Sequence, residues 1–115
     1  MLDVLEQFKT DVNTNAQIQR IVKSWNTGIF LEEKDTAIYY RLTVKDGRID
    51  EVTQASINDV DDSKIKIVGI REILKGLFQG KVNGIRANND GLIEIYGSMS
   101  DQVKLDAIAL ILWGI

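Results

Sequence analysis

The spacing of apolar residues changes twice along this chain. Leu5, Phe8 and Val12 recur at helical spacing, which predicts a helix over residues 2–12. Asn13 and Asn15 are suited to end that helix or to cap the next. Ile18, Ile21, Val22 and Trp25 follow an i, i+3, i+4, i+7 pattern, the stripe of a second amphipathic helix that Thr27-Gly28 breaks. The period then shortens to two. Ile29-Phe30-Leu31 is a short apolar strand, and Ile38, Tyr40, Leu42 and Val44 alternate with Tyr39, Arg41 and Thr43 in a strand over 36–44. Asp46-Gly47 signals a hairpin, and residues 48–57 return from it. Their parity breaks between Ile49 and Val52, which predicts a bulge. The polar run 58–64 is a loop, and Ile65-Lys66-Ile67-Val68 is a fourth strand.

Helical spacing returns at Ile70, Ile73, Leu74, Leu77 and Phe78, and Gly80-Lys81 ends that helix with glycine just past the last turn. Residues 82–89 hold a short helical turn, stopped by Asp90-Gly91. Leu92 to Tyr96 is a fifth strand, and Ser98-Met99-Ser100-Asp101 opens the last helix with a capping-box-like signal. From Leu105 to Ile115 that helix carries one charge, Asp106. A helix apolar all round is normally buried, whereas a terminus is normally exposed. The tail therefore needs a cover: the domain core, a second copy or an apolar ligand. The order of elements predicts one α+β domain over residues 1–115, with a mostly antiparallel five-stranded sheet covered on one face by helices.

Composition narrows the function classes. With 44% hydrophobic and 27% charged residues, the chain is an ordinary globular protein. The net charge is −3 and the lysines and arginines are scattered, so nucleic acid is not an expected partner. The sequence has no cysteine, hence no disulfide, thiolate metal site or cysteine nucleophile. It has no histidine, which removes the commonest general base and the commonest metal ligand. The first residues lack the basic region and apolar run of a secretory signal. The apolar tail falls short of the roughly 20 residues that span a bilayer. The expected location is the cytoplasm.

Motifs for particular chemistry fail one by one. The acidic run Asn58-Asp59-Val60-Asp61-Asp62-Ser63 lacks the glycine and glutamate that a calcium loop needs at its sixth and twelfth positions, where Lys64 and Ile70 stand; it reads as a solvated loop. Gly80-Lys81 lacks the earlier glycine and the following hydroxyl of a phosphate loop. Glu32, Glu33 and Asp35 fall in a turn between strands. Glu94 alternates with Ile93 and Ile95 and is expected to point to solvent. No enzymatic centre is expected, and no metal or cofactor.

Gly69, the amphipathic helix ended by Gly80-Lys81, a short polar turn, Gly91, the strand Leu92-Ile93-Glu94-Ile95-Tyr96-Gly97 and a closing apolar helix resemble the sterol carrier protein type 2 family of lipid-transfer domains. Upstream, Gly28-Ile29-Phe30-Leu31, the strand from Ile38 to Val44 and the Asp46-Gly47 hairpin fall in the family's order. The resemblance runs from about Trp25 to Leu112. It implies a five-stranded sheet whose helices enclose an apolar tunnel for sterols, fatty acids, fatty acyl-CoA or phospholipids, closed by the C-terminal segment. The chain departs from the family at Val82-Asn83-Gly84, where an asparagine–proline pair is frequent. It also departs at Trp113-Gly114-Ile115, which is no peroxisomal address such as Ser-Lys-Leu and fits a bacterial cytoplasmic protein.

The expected function is a small non-enzymatic lipid-binding or lipid-transfer protein. Residues on the inferred apolar faces are its expected lining. These are Trp25, Phe30, Tyr40 and Leu42 in the first half, Ile73, Leu77 and Phe78 on the middle helix, and Ile108, Ile111 and Leu112 on the last, with Trp113 as a lid. An anionic lipid head would meet Arg41, Lys81 or Arg86. The alternative is a structural module with a filled core that dimerises through its apolar C-terminal helix.

Overall fold

The computed structural model describes the backbone of residues 1–115 and every side chain except those of Asp61 and Asp62. The chain runs α1 (Leu2–Asn13), α2 (Ala16–Ile21), β1 (Thr27–Glu33), β2 (Ile38–Lys45), β3 (Arg48–Ala55), a 3-10 turn (Ile57–Asp62), β4 (Ile65–Gly69), α3 (Arg71–Gln79), α4 (Gly84–Asn89), β5 (Ile93–Tyr96) and α5 (Met99–Trp113). The acidic run 58–63 contains the two undescribed side chains, so its reading as a solvated loop lies outside the described residues.

The five strands form one sheet in the order β3-β2-β1-β4-β5. β1 and β4 pair in parallel and the other three pairings are antiparallel, so the sheet is mixed and not the mostly antiparallel sheet expected. The physical reason is the route after β3. The hairpin signal at Asp46-Gly47 fixes β2 against β3, but the next segment crosses the sheet through the 3-10 turn and lays β4 on the free edge of β1. Strand alternation carries no information about direction. The expected bulge is present: Thr43 pairs with Glu51 and Val44 with Ile49, leaving Asp50 unopposed. The extra residue returns Ile49 to the buried face.

One face of the sheet carries the core. Ile29, Leu31, Leu42, Val44, Ile65 and Ile67 project from it against Val4, Leu5, Phe8 and Val12 of α1 and Leu74 and Phe78 of α3. Asn13 fastens the end of α1 to the start of β3. Its side-chain amide donates to the Ile49 carbonyl at 2.9 Å, and its oxygen accepts from the Ile49 amide at 2.8 Å. The opposite face is more polar. There Glu32 pairs with Lys66 at 3.4 Å, and Phe30, fully buried, stacks on Tyr39 with ring centroids 5.6 Å apart. The 3-10 turn packs against β1, and a Cβ on Gly28 would lie 3.2 Å from the Ser63 hydroxyl. The five α-helices and the core thus occupy one face, while the 3-10 turn shields part of the other.

Two local expectations are corrected. The second helix stops at Ile21, four residues before Trp25. Ser24 takes a left-handed conformation, and tertiary bonds take over: the Trp25 carbonyl accepts from the Gly47 amide at 2.9 Å. Glu33 is not in a turn. It is the last residue of β1 and is 0% exposed on the core side. Its Oε1 accepts from the Thr36 hydroxyl at 2.6 Å, and its Oε2 has no partner.

Candidate functional site

Helix α5 is held at its two ends and bridges a hollow between them. At the start, the Ser98 hydroxyl accepts from the Asp101 amide at 3.1 Å, the N-cap bond that the sequence signals. The Trp25 indole N–H donates to the Asp101 carboxylate at 2.9 Å, tying the first turn of α5 to the chain before β1. At the far end, the Trp113 ring sits 5.9 Å from Phe8 and lies directly against Gly80, the left-handed residue that ends α3. A side-chain carbon at Gly80 would collide with the indole. Glycine there serves both the backbone conformation and the seat of Trp113.

Between these ends α5 is thinly held. Of its fifteen residues only Ile108 is fully buried. Met99, Val103 and Leu110 remain exposed, Leu110 at 62%. The all-apolar tail is therefore not enclosed. Its inner side meets the domain and its outer stripe does not.

Under α5 lies an apolar cavity of about 70 Å³. Its floor is Ile67 of β4 and Ile95 of β5, and its sides are Leu77 and Phe78 of α3 with Phe8 of α1. Val82 to Ile85, from the turn leading into α4, form a third wall, and α5 supplies the roof through Leu105, Ile108, Ala109 and Trp113. Pockets that hold small ligands usually measure about 300–1,000 Å³. The cavity is a small, partly open nook. A larger hollow on the outer side of α3 is lined by Asp35, Arg71, Glu72, Lys75 and Lys81. Its charged walls make it a surface groove unsuited to an apolar guest.

The cavity brings together Leu77, Phe78, Ile108 and Trp113 among the residues expected to line it. Trp25 instead anchors α5 through its indole N–H. Tyr40 and Leu42 are core residues of β2, Phe30 lies on the opposite face of the sheet, and Ile73 borders the charged groove. Ile111 and Leu112 are half-buried against the core, outside the lining. The expected cations also lie elsewhere. Arg41 shares the opposite sheet face with Phe30, and Lys81 and Arg86 border a separate depression beside α4.

Phe8, Ile67, Val82, Ile85, Ile95 and Leu105 were not legible as lining. Ile67 and Ile95 carried the only usable signal, since adjacent strands that pair place them on one face. Asp106 was missed as well. It lies on the cavity wall and also rims a groove formed with Ile85, Asn88, Ile95, Gln102 and Leu105. Its side chain is exposed, and partial desolvation by its neighbours raises the carboxyl pKa above the ordinary 3.8. Burial likewise raises the Tyr40 phenol, reinforced by the nearby Glu33 charge and opposed by Arg71. Glu94 is exposed, as its alternation predicts, and accepts from the Tyr96 hydroxyl at 2.9 Å. Among the described residues no group of three or more aspartates and glutamates is placed to hold a metal ion, and no helix is long and apolar enough to cross a membrane.

No protein-family model matches the sequence, and no curated protein matches it. Solved structures do. The sterol carrier protein domain 2 of Helicoverpa armigera superposes with a TM-score of 0.67 at 18% identity, over 97% of this chain and 90% of that one. Palmitated SCP2L2 from Aedes aegypti gives 0.67 at 14% identity, over 92% and 90%. The stereoselective inverting sec-alkylsulfatase Pisa1 from Pseudomonas sp. contains the same arrangement, with a TM-score of 0.63 at 12% identity over 78% of this chain. The chain spans only 14% of that enzyme. The fold is that of sterol carrier protein 2 domains, as the glycine and strand pattern of the sequence implied.

Proposed function

We propose that this domain binds an apolar lipid under α5 and carries out no chemistry on it. The observation that carries the reading is the apolar cavity roofed by a helix with a single fully buried residue. A neighbour of the same fold is described as palmitated, which supports a lipid as the occupant. The tunnel would open when Trp113 leaves Gly80 and the C-terminal half of α5 lifts, while the Trp25–Asp101 bond keeps its N-terminal end in place. Partition is the driving force. A fourteen-carbon chain gains roughly 0.8 kcal/mol per methylene, about 11 kcal/mol in all. Ordering, desolvation and lid opening reduce that to an affinity near the micromolar range. The lining we assign is Leu77, Phe78, Ile108 and Trp113 with Phe8, Ile67, Ile95 and Leu105, and the location we assign is the cytoplasm.

The alternative, dimerisation through α5 over a filled core, rests on the exposed stripe of Met99, Val103 and Leu110. Asp106 interrupts that stripe, and a carboxylate in the middle of an apolar seam opposes pairing with a second copy.

Delipidated protein should take up a neutral fluorescent lipid, and protein as purified should carry lipid on native mass spectrometry. Removing Leu110 to Ile115 should weaken uptake and leave the oligomeric state unchanged. A protein that takes up no lipid and changes from dimer to monomer on that deletion has the alternative function.

A further inference from the structure

The joint between α3 and α4 carries a reactive pair of residues. Asn83-Gly84 is the chain's one asparagine–glycine step. An asparagine side chain can close on the backbone nitrogen of the next residue, and glycine, with no Cβ, hinders that approach least. Every other asparagine is followed by a residue with a side chain: Thr14, Ala16, Thr27, Asp59, Asn89 or Asp90.

The fold leaves both reacting groups accessible. Asn83 is exposed, and its side-chain oxygen makes a single bond, accepting from the Arg86 amide at 3.0 Å as the cap of α4. The Gly84 amide opens the helix, where no intrahelical acceptor exists, and it donates to no described residue. Helix α4 has six residues, of which only Ala87 is buried. So short a helix frays easily, and the cap bond withholds the side chain only about fivefold. Other asparagines are held more firmly. Asn13 is bonded to both the amide and the carbonyl of Ile49, and Asn26 donates to the Ser24 carbonyl and accepts from the Asp46 amide.

We propose that Asn83-Gly84 is a site of spontaneous covalent modification in the folded protein, and that isoaspartate formed there unfastens α4 from the cavity wall. The Gly84 nitrogen loses its proton and bonds to the side-chain carbonyl carbon of Asn83, the side-chain nitrogen leaves as ammonia, and a cyclic imide remains. Water then opens the imide at either carbonyl. One opening gives aspartate on a normal backbone. The other gives isoaspartate, whose main chain runs through the former side chain and is longer by a carbon. Water is the only co-reactant, and nothing is oxidised or reduced. Asn83 lines both the cavity and the depression beside α4. Its carbonyl accepts from the Ala87 amide at 2.9 Å, and the Ala87 carbonyl accepts from the Leu92 amide at 2.8 Å. The longer main chain removes the cap and misplaces the first of these bonds, which frees the second. Any effect on uptake rests on the proposed lipid-binding function; the modification itself does not.

The test is incubation of the folded full-length protein at mildly alkaline pH, followed by peptide mass spectrometry with fragmentation that separates isoaspartate from aspartate. The mass gain of an amide-to-acid change should appear at Asn83 at least about tenfold faster than at any other asparagine, and Gly84→Ala should slow it about tenfold. The added Cβ meets only a Leu77 methyl, at 3.2 Å. The folded protein should react within about tenfold of the same chain unfolded in urea. Hydrogen exchange at the Ala87 and Leu92 amides should quicken in the aged protein. Asn83→Asp keeps a capping oxygen and a normal backbone, so it should exchange as wild type does. A folded protein that stays unmodified at Asn83 while the unfolded chain reacts there, or a Gly84→Ala rate equal to wild type, overturns the site. Unchanged exchange in the isoaspartate form overturns the loosening of α4. Nile red uptake equal in fresh and aged protein, with α4 loosened, overturns the link to the cavity and leaves the modification standing. Absence of uptake by fresh protein overturns the lipid-binding reading alone.

Discussion

Replacing Gly80 with alanine should loosen the roof of the cavity, and a second glycine in the same chain supplies the control. Gly80 and Gly91 have nearly the same left-handed backbone, φ of +76° and +75°. Either alanine therefore incurs the same conformational strain, about 1 kcal/mol. Their surroundings differ. A Cβ at Gly91 meets nothing within 4 Å, whereas one at Gly80 lands on the Trp113 indole. Truncating a buried aromatic costs about 3–5 kcal/mol. Trp113 is half-buried, so unseating it should cost roughly half of that, about 2 kcal/mol. Gly91→Ala should then lose about 1 kcal/mol and Gly80→Ala about 3 kcal/mol in urea unfolding with unchanged slope. In a Trp25→Phe background, Trp113 emission should shift to the red in Gly80→Ala alone. If α5 is the gate, the same variant should also take up lipid faster, with Gly91→Ala near wild type. Equal losses for the two alanines, or an unshifted emission, would show that Trp113 does not rest on Gly80 and would remove the latch from the mechanism.

Two further outcomes bear on charges the sequence left unresolved. Glu33 is fully buried with one oxygen unpaired, and Glu33→Gln keeps the Thr36 bond while removing the charge. Stability should rise by about 1 kcal/mol, read from the urea midpoint; a loss of that size would mean the carboxylate has a favourable partner in solution. Asp106 titrates above 3.8 when folded, so between that value and its raised folded pKa the native state holds more protons than the unfolded chain. Its contribution to stability is thus greatest in acid and declines as pH rises through the folded pKa. Asp106→Asn should flatten that part of the thermal-midpoint profile, and a profile identical to wild type would refute the raised pKa of its carboxyl.

Much of the site was invisible for a definable reason. Ile29-Phe30-Leu31 is apolar throughout, and a run without alternation does not say which residue faces which side. In the structure Ile29 and Leu31 join the helical core and Phe30 stacks on Tyr39 behind the sheet. The middle helix was easier. Leu77 and Phe78 fall on one apolar stripe, and two successive positions of that stripe reach the cavity. The end of the last helix is apolar on nearly every side, so composition does not distinguish Ile108 and Trp113, which border the cavity, from Ile111 and Leu112, which do not.

The sequence by itself determined the order of the elements and several of their ends: the Asp46-Gly47 hairpin, the bulge after Ile49, the Gly80 stop and the Ser98 cap. Each depends on local backbone geometry that a few neighbouring residues dictate. It also determined the fold class through the order of those elements and the spacing of glycines. Only the tertiary structure decided that β4 runs parallel beside β1, that Glu33 is buried, and that Asp106 stands at the wall of an apolar cavity. Those facts depend on pairings between segments distant along the chain. The path of the connection and the packing of whole faces set them, and no window of neighbouring residues contains that information.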